Sequence, residues 1–132
     1  MNSVVVDTDV VSFLFKRDSR AELYKPHLTG KTLVISFMTV AELDRWPLER
    51  NWSPATRAAM ELQLRKYVVH PYDRELCRKW AEVTHEANKK GRPIQCADAW
   101  VAATASLHGI PLVTHNRKDY GGVTTLSIIS EG

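Results

Sequence analysis

Only two cysteines occur in the 132 residues, Cys77 and Cys96, and they lack the CxxC spacing of a metal or redox centre. A disulfide framework is therefore excluded, and a reducing, cytoplasmic compartment is the expectation. No apolar run approaches the length needed to cross a bilayer. The first residues carry no charged segment ahead of an apolar one, so no secretory leader and no membrane attachment are expected. Repeats, low-complexity tracts and linkers are also missing. So are the HExxH, GxSxG, Walker A and glycine-rich dinucleotide patterns, which disfavours zinc peptidases, serine hydrolases, NTPases and dehydrogenases. Nor does one sign of charge dominate. Eighteen Lys and Arg against fifteen Asp and Glu leave a net charge of +3, which permits a nucleic-acid partner without demanding one.

The sequence does have regular punctuation. At 44% hydrophobic and 25% charged residues it reads as one globular domain over residues 1–132. "SVVV" at 3–6 is a short β-branched run suited to a buried parallel strand. "TDVVSFLFK" follows as a helix. In "DSRAELYKPHL" Ser19 and Glu22 have capping-box spacing, which predicts a second helix start. "TLVIS" at 32–36 is a second strand, and "FMTVAELDRW" returns to helical periodicity until Pro47, where the helix is expected to stop. "SPATRAAMELQLRKY" begins with an N-cap serine and a proline at the first helical position. "YVVH" is a third strand, and "DRELCRKWAEVTHEANKKG" an amphipathic helix closed by Gly91. The helix "CADAWVAATASLH", the strand "PLVT", a turn and the strand "TLSII" complete the chain. Strands alternating with helices predict an α/β three-layer sandwich, with about five parallel strands and helices on both faces.

That topology gathers helix N-termini at the carboxyl edge of the sheet, where sites in open α/β folds form. Four acids fall there. Asp7 ends the first strand, and Glu42 lies in the helix after the second. Asp98 occupies the first turn of the helix before the fourth strand, and Asp119 lies just beyond that strand. Singly, each has a structural explanation as a cap, a turn-former or a partner of a helix dipole. Together they would repel one another, and a hard divalent cation, Mg²⁺ or Mn²⁺, resolves that conflict. Metal-dependent phosphoryl hydrolysis is the chemistry such a site favours. Asp9, two residues beyond Asp7, is placed either to cap the first helix or to support the carboxylates.

At these positions the segments "VVVDTDVVSFLF", "TVAELDRW", "CADAWVAATA" and "LVTHNRKDY" resemble the signature segments of PIN-domain ribonucleases, and more narrowly VapC-type toxins of toxin–antitoxin pairs. The resemblance implies a PIN-like fold and metal ligation by Asp7, Glu42 and Asp98. The fourth ligand falls on Asp119, since Asn116 stands where many members carry an aspartate. Thr114 and Asn116 then support the site or orient substrate, and Lys16, Arg117 and Lys118 are candidates for meeting RNA phosphate. The resemblance further implies a single-strand-selective RNA endonuclease, usually a homodimer, silenced by a cognate antitoxin. A guanidinium is the simplest plug for a carboxylate cluster. The antitoxin is accordingly expected to insert an Arg beside the acids. Its apolar anchors would lie on Phe15 and Leu23, with Trp46 and Trp52 exposed around the expected break at Pro47. Two other classes compete. "VVVDTDVVS" also fits the DxDx[TV] box of haloacid-dehalogenase-like phosphatases, with Asp7 as nucleophile. A non-enzymatic receiver-like Mg²⁺-binding domain would instead need a phosphoacceptor aspartate ending the third strand, where the chain offers "VVHPYD".

Overall fold

A computed structural model describes residues 2–132 of the protein. The elements run β1 (Ser3–Val6), α1 (Thr8–Lys16), α2 (Ala21–Leu28), β2 (Thr32–Ser36), α3 (Phe37–Arg50), α4 (Pro54–Leu64), β3 (Val68–His70), α5 (Arg74–Lys89), α6 (Cys96–His108), β4 (Leu112–Val113), a 3-10 turn (Arg117–Tyr120) and β5 (Ile128–Ile129). The five strands pair in the order β3-β2-β1-β4-β5, all parallel. The expected α/β sandwich is the observed one.

β1 is the hinge of this topology. The strand order grows outward from it through β2 and β3, then reverses through β4 and β5, so the switch point lies between β1 and β4. The alternation within "VVV" decides the layers. Val4 and Val6 pack with Val10 and Val11 of α1, Tyr24 of α2, Leu43 of α3 and Met60 of α4. Val5 faces the other side, against Val83 of α5 and Ala99, Val101, Ala102 and Ala105 of α6. Past the half-buried Ser3 at its start, a strand buried on both faces carries no polar residue until its end, and there stands Asp7.

Several local expectations need correction. α3 does not stop at Pro47 but continues to Arg50, ending at Asn51 in the left-handed region (φ 50°). Pro47 lies in the last turns, where its missing N–H removes one intrahelical bond without ending the helix. Its carbonyl accepts from Trp52 N at 3.1 Å. With the helix unbroken, Trp46 and Trp52 are not exposed flags. They are half-buried against the core, Trp52 is 5.5 Å from the Phe15 ring, and Lys16 and Arg50 lie over Trp46. The capping box of Ser19 and Glu22 is not formed either. Asp18 holds the entry to α2, accepting from Arg20 N at 2.9 Å, while Glu22 pairs with Lys25. Elsewhere the caps follow the sequence: Ser53 accepts from Thr56 N before Pro54, and Gly109 ends α6 at φ 62°.

Candidate active site

Asp7 is held by three donors. Its backbone N–H still belongs to the sheet, donating to Val113 O at 2.9 Å, while the side chain begins α1 by accepting from Thr8 N at 2.8 Å. The second carboxylate oxygen accepts from Thr114 Oγ1 at 2.8 Å and from the Tyr120 hydroxyl at 2.6 Å. Asp7 is only 7% exposed. Burial pushes its pKa up, against the three hydrogen bonds that lower it, and Asp119 raises it further.

Thr8 reaches the other way. Its hydroxyl donates to Glu42 Oε1 at 2.8 Å, with the buried Thr39 hydroxyl 3.0 Å from it. Glu42 therefore joins through the side chain of its α1 neighbour and not as a cap for α3, which Ser36 provides through Met38 N. Asp98 stands half-buried in the first turn of α6, on a helix whose alanines let it pack closely against the sheet. Its pKa is raised to about 7, first by burial and then by the charges of Asp7, Asp119, Glu42 and Asp9. Asp119 is exposed on the 3-10 turn, where its charge acts on both Asp98 and Asp7.

Asp9 is a brace. It accepts from Val10 N at 2.7 Å, His115 N at 3.1 Å and Asn116 Nδ2 at 2.8 Å, which clamps the segment after β4 onto α1. Burial and the neighbouring Asp7 raise its pKa to about 6. Asn116 is thereby committed to Asp9, and Thr114 passes the clamp on, accepting from Asn116 N at 3.1 Å while donating to Asp7.

The structure thus brings Asp7, Glu42, Asp98 and Asp119 to one edge, with Asp9, Thr114 and Asn116 around them. Arg117 and Lys118 adjoin on the 3-10 turn. Lys16 does not. α1 starts at the site and runs away from it, and eight residues at 1.5 Å each put Lys16 about 12 Å along the axis, over Trp46. Tyr120, Thr8 and Thr39 are contacts that the sequence did not disclose. An aromatic ending a polar turn was the available signal for Tyr120; a threonine beside an aspartate is too common to be one.

Among the described residues, no Lys, Arg or His forms an ion pair with these four acids. Nor do three acid, histidine or cysteine side chains form a ready-made coordination cage. A cation that keeps several of its waters fits an open set of oxygen donors better than a closed cage does.

A family model described as the PIN domain matches residues 4–120. The chain belongs to the PIN-domain family. Among PIN-domain relatives, Ribonuclease VapC1 of Haemophilus influenzae is 31% identical over 125 residues, covering 92% of each chain. The VapBC-1 structure from nontypeable Haemophilus influenzae superposes at a TM-score of 0.80 with 27% identity over 96% of each chain. VapBC2 from Rickettsia felis, solved bound to a DNA fragment from its promoter, gives a TM-score of 0.83 at 19% identity, covering 96% of this chain and 97% of that one. The last likeness concerns the fold alone. Within the PIN-domain family the chain stands with the VapC-type members, as its signature segments imply. Neither competing class is favoured: Asp7 is tied by three donors, and β3 ends in His70 where a receiver would place its aspartate.

Proposed function

We propose that the protein is a Mg²⁺- or Mn²⁺-dependent endoribonuclease selective for single strands, acting in the cytoplasm as the toxin of a toxin–antitoxin pair. The observation that carries this reading is the set of acids around Asp98, whose carboxyl is lifted to about 7 by burial and by four neighbouring carboxylates. Asp7, Glu42, Asp98 and Asp119 would hold the cation. When bound, it would offset their repulsion, make water acidic enough to attack, and draw charge from the phosphodiester.

The chain's own contribution is orientation. Thr114 and Tyr120 occupy one oxygen of Asp7, and Thr8 N takes one position on the other, so the carboxylate can turn neither way. Thr8 fixes one oxygen of Glu42. Asp98 is open to solvent on one side, where substrate would approach. Asp9 and Asn116 hold the turn that carries Asp119.

The relatives named VapBC support an antitoxin partner. Its expected Arg would enter beside Asp7 and Asp98. Leu23, 46% exposed on α2, and the half-buried Phe15 offer apolar anchorage, whereas Trp46 and Trp52 could present only their rims. A homodimer is part of the same reading. The direct test is to incubate the purified chain with single-stranded and duplex RNA, with Mg²⁺ or with EDTA. Cleavage of the single strand alone, abolished by EDTA and restored by excess Mg²⁺ or Mn²⁺, supports the reading. Cleavage that ignores EDTA overturns the metal dependence.

A further inference from the structure

We infer that the cavity beside the acids is a phosphate subsite, which holds the RNA backbone away from the bond being cut. This inference rests on the ribonuclease reading. The cavity measures about 630 Å³, and its walls include Arg92, Arg117, Lys118, Asn116 and Gly121. It shares the 3-10 turn with the acid cluster, and the turn sorts its charges. Arg117 and Lys118 line the cavity, while Asp119 acts on Asp98 and Asp7.

Arg92 makes the cavity more than a scatter of surface cations. Its backbone N–H donates to Ala87 O at 3.0 Å, anchoring it in the bend between α5 and α6. Its guanidinium lies against Gly121: a Cβ built there would come 2.5 Å from Arg92 Cζ. The glycine leaves the space that the guanidinium fills. Among the described residues, none of Arg92, Arg117 and Lys118 is ion-paired to an acid. Arg117 donates only to Ile128 O, at 3.4 Å.

The chemistry of the neighbouring site explains the need. A cluster of carboxylates repels a polyanion, so a strand entering it requires positive charge next door to stay bound. An unpaired guanidinium with two further cations suits a phosphodiester, which it can meet with paired N–H donors. Backbone contacts of this kind hold a strand in register without reading its sequence.

The test measures binding, not cleavage. In an Asp98→Asn background, labelled single-stranded RNA is titrated by fluorescence anisotropy across a salt series. Arg92→Ala should weaken binding about tenfold and reduce the slope of log affinity against log salt by about 0.7. Gly121→Ala should weaken binding as well, because its Cβ displaces the guanidinium from its place on the glycine while leaving every charge present. Its φ of −61° suits alanine, so the fold is retained. Lys66→Ala, an exposed cation on the α4 side, should change binding by less than twofold. Parent-like binding by both the Arg92 and Gly121 variants overturns the subsite alone. Failure of the parent to bind RNA overturns the ribonuclease reading and the subsite with it.

Discussion

The hydroxyl of Tyr120 donates to the buried carboxylate of Asp7 at 2.6 Å, joining the 3-10 turn to the end of β1 across 113 residues of sequence. The bond does two things at once. It offsets part of the burial that raises the pKa of Asp7, and it puts Asp119, next in the chain, within electrostatic reach of the same carboxylate. In return, burial and Asp7 hold the Tyr120 hydroxyl protonated far above its usual range, so it serves only as a donor.

Tyr120→Phe keeps the ring and removes the donor. Asp7 retains Thr8 N and Thr114. The unfolding free energy should fall by about 1–2 kcal/mol. Cleavage should slow by about ten- to a hundredfold, the range found when a group supporting a metal ligand is lost. Urea unfolding and a cleavage time course check the two effects separately, and a folded variant with parent-like cleavage would disconnect Tyr120 from the site.

Thr8→Val tests the other arm. The two side chains have similar volume, and the backbone N–H to Asp7 survives, but Glu42 and Thr39 each lose a hydroxyl neighbour. Stability should drop by about 1 kcal/mol, and cleavage by more than that change in folding can explain. Thr8→Ser, which restores the hydroxyl, should recover most of the activity.

Asp98 and Asp9, together with the buried Asp7, make the metal-free protein less stable as pH rises. The folded pKa values of Asp98 and Asp9, about 7 and about 6, lie above the 3.8 of a free aspartate. The folded state therefore binds more protons than the unfolded state between about pH 4 and 7. Stability should be greatest at the acid end of that window and fall as pH rises through it. Thermal melts in EDTA from pH 4.5 to 8 should show the decline, and Asp98→Asn should flatten it. A melting temperature that rises with pH over this range in EDTA would contradict the charge cluster.

The sheet was legible because its determinants are local. The run "VVV" before Asp7, the runs "TLVIS" and "PLVT", and the helices between them left few alternatives to a parallel order. The convergence of the four acids on one edge was legible because Asp7 ends β1, Asp98 opens α6, Asp119 follows β4 and Glu42 lies within the first two turns of α3. Pro47 does not end α3, because Trp46 before it and Trp52 after it pack on the core and Trp52 N bonds the Pro47 carbonyl. Lys16 stands about 12 Å along α1 from the acids, a displacement that follows from helix rise alone. The links from Tyr120 to Asp7 and from Asn116 to Asp9 span more than a hundred residues, and no periodicity encodes such a contact.

For the antitoxin, Leu23 is the informative position, since it is exposed on α2 and remote from the acids in sequence. Leu23→Asp should leave cleavage unchanged and weaken inhibition by about tenfold or more, the loss expected for one buried leucine. Isothermal titration with the cognate antitoxin measures it. Parent-like affinity would move the apolar contacts off α2.

Asp98→Asn is the most direct measurement of all, because it removes one charge from the cluster and almost no volume. The variant should fold, be more stable than the parent in EDTA at pH 7.5, and lose Mg²⁺-dependent cleavage of single-stranded RNA by at least about a hundredfold. Parent-level cleavage by that folded variant would contradict the assignment of these acids as the active site.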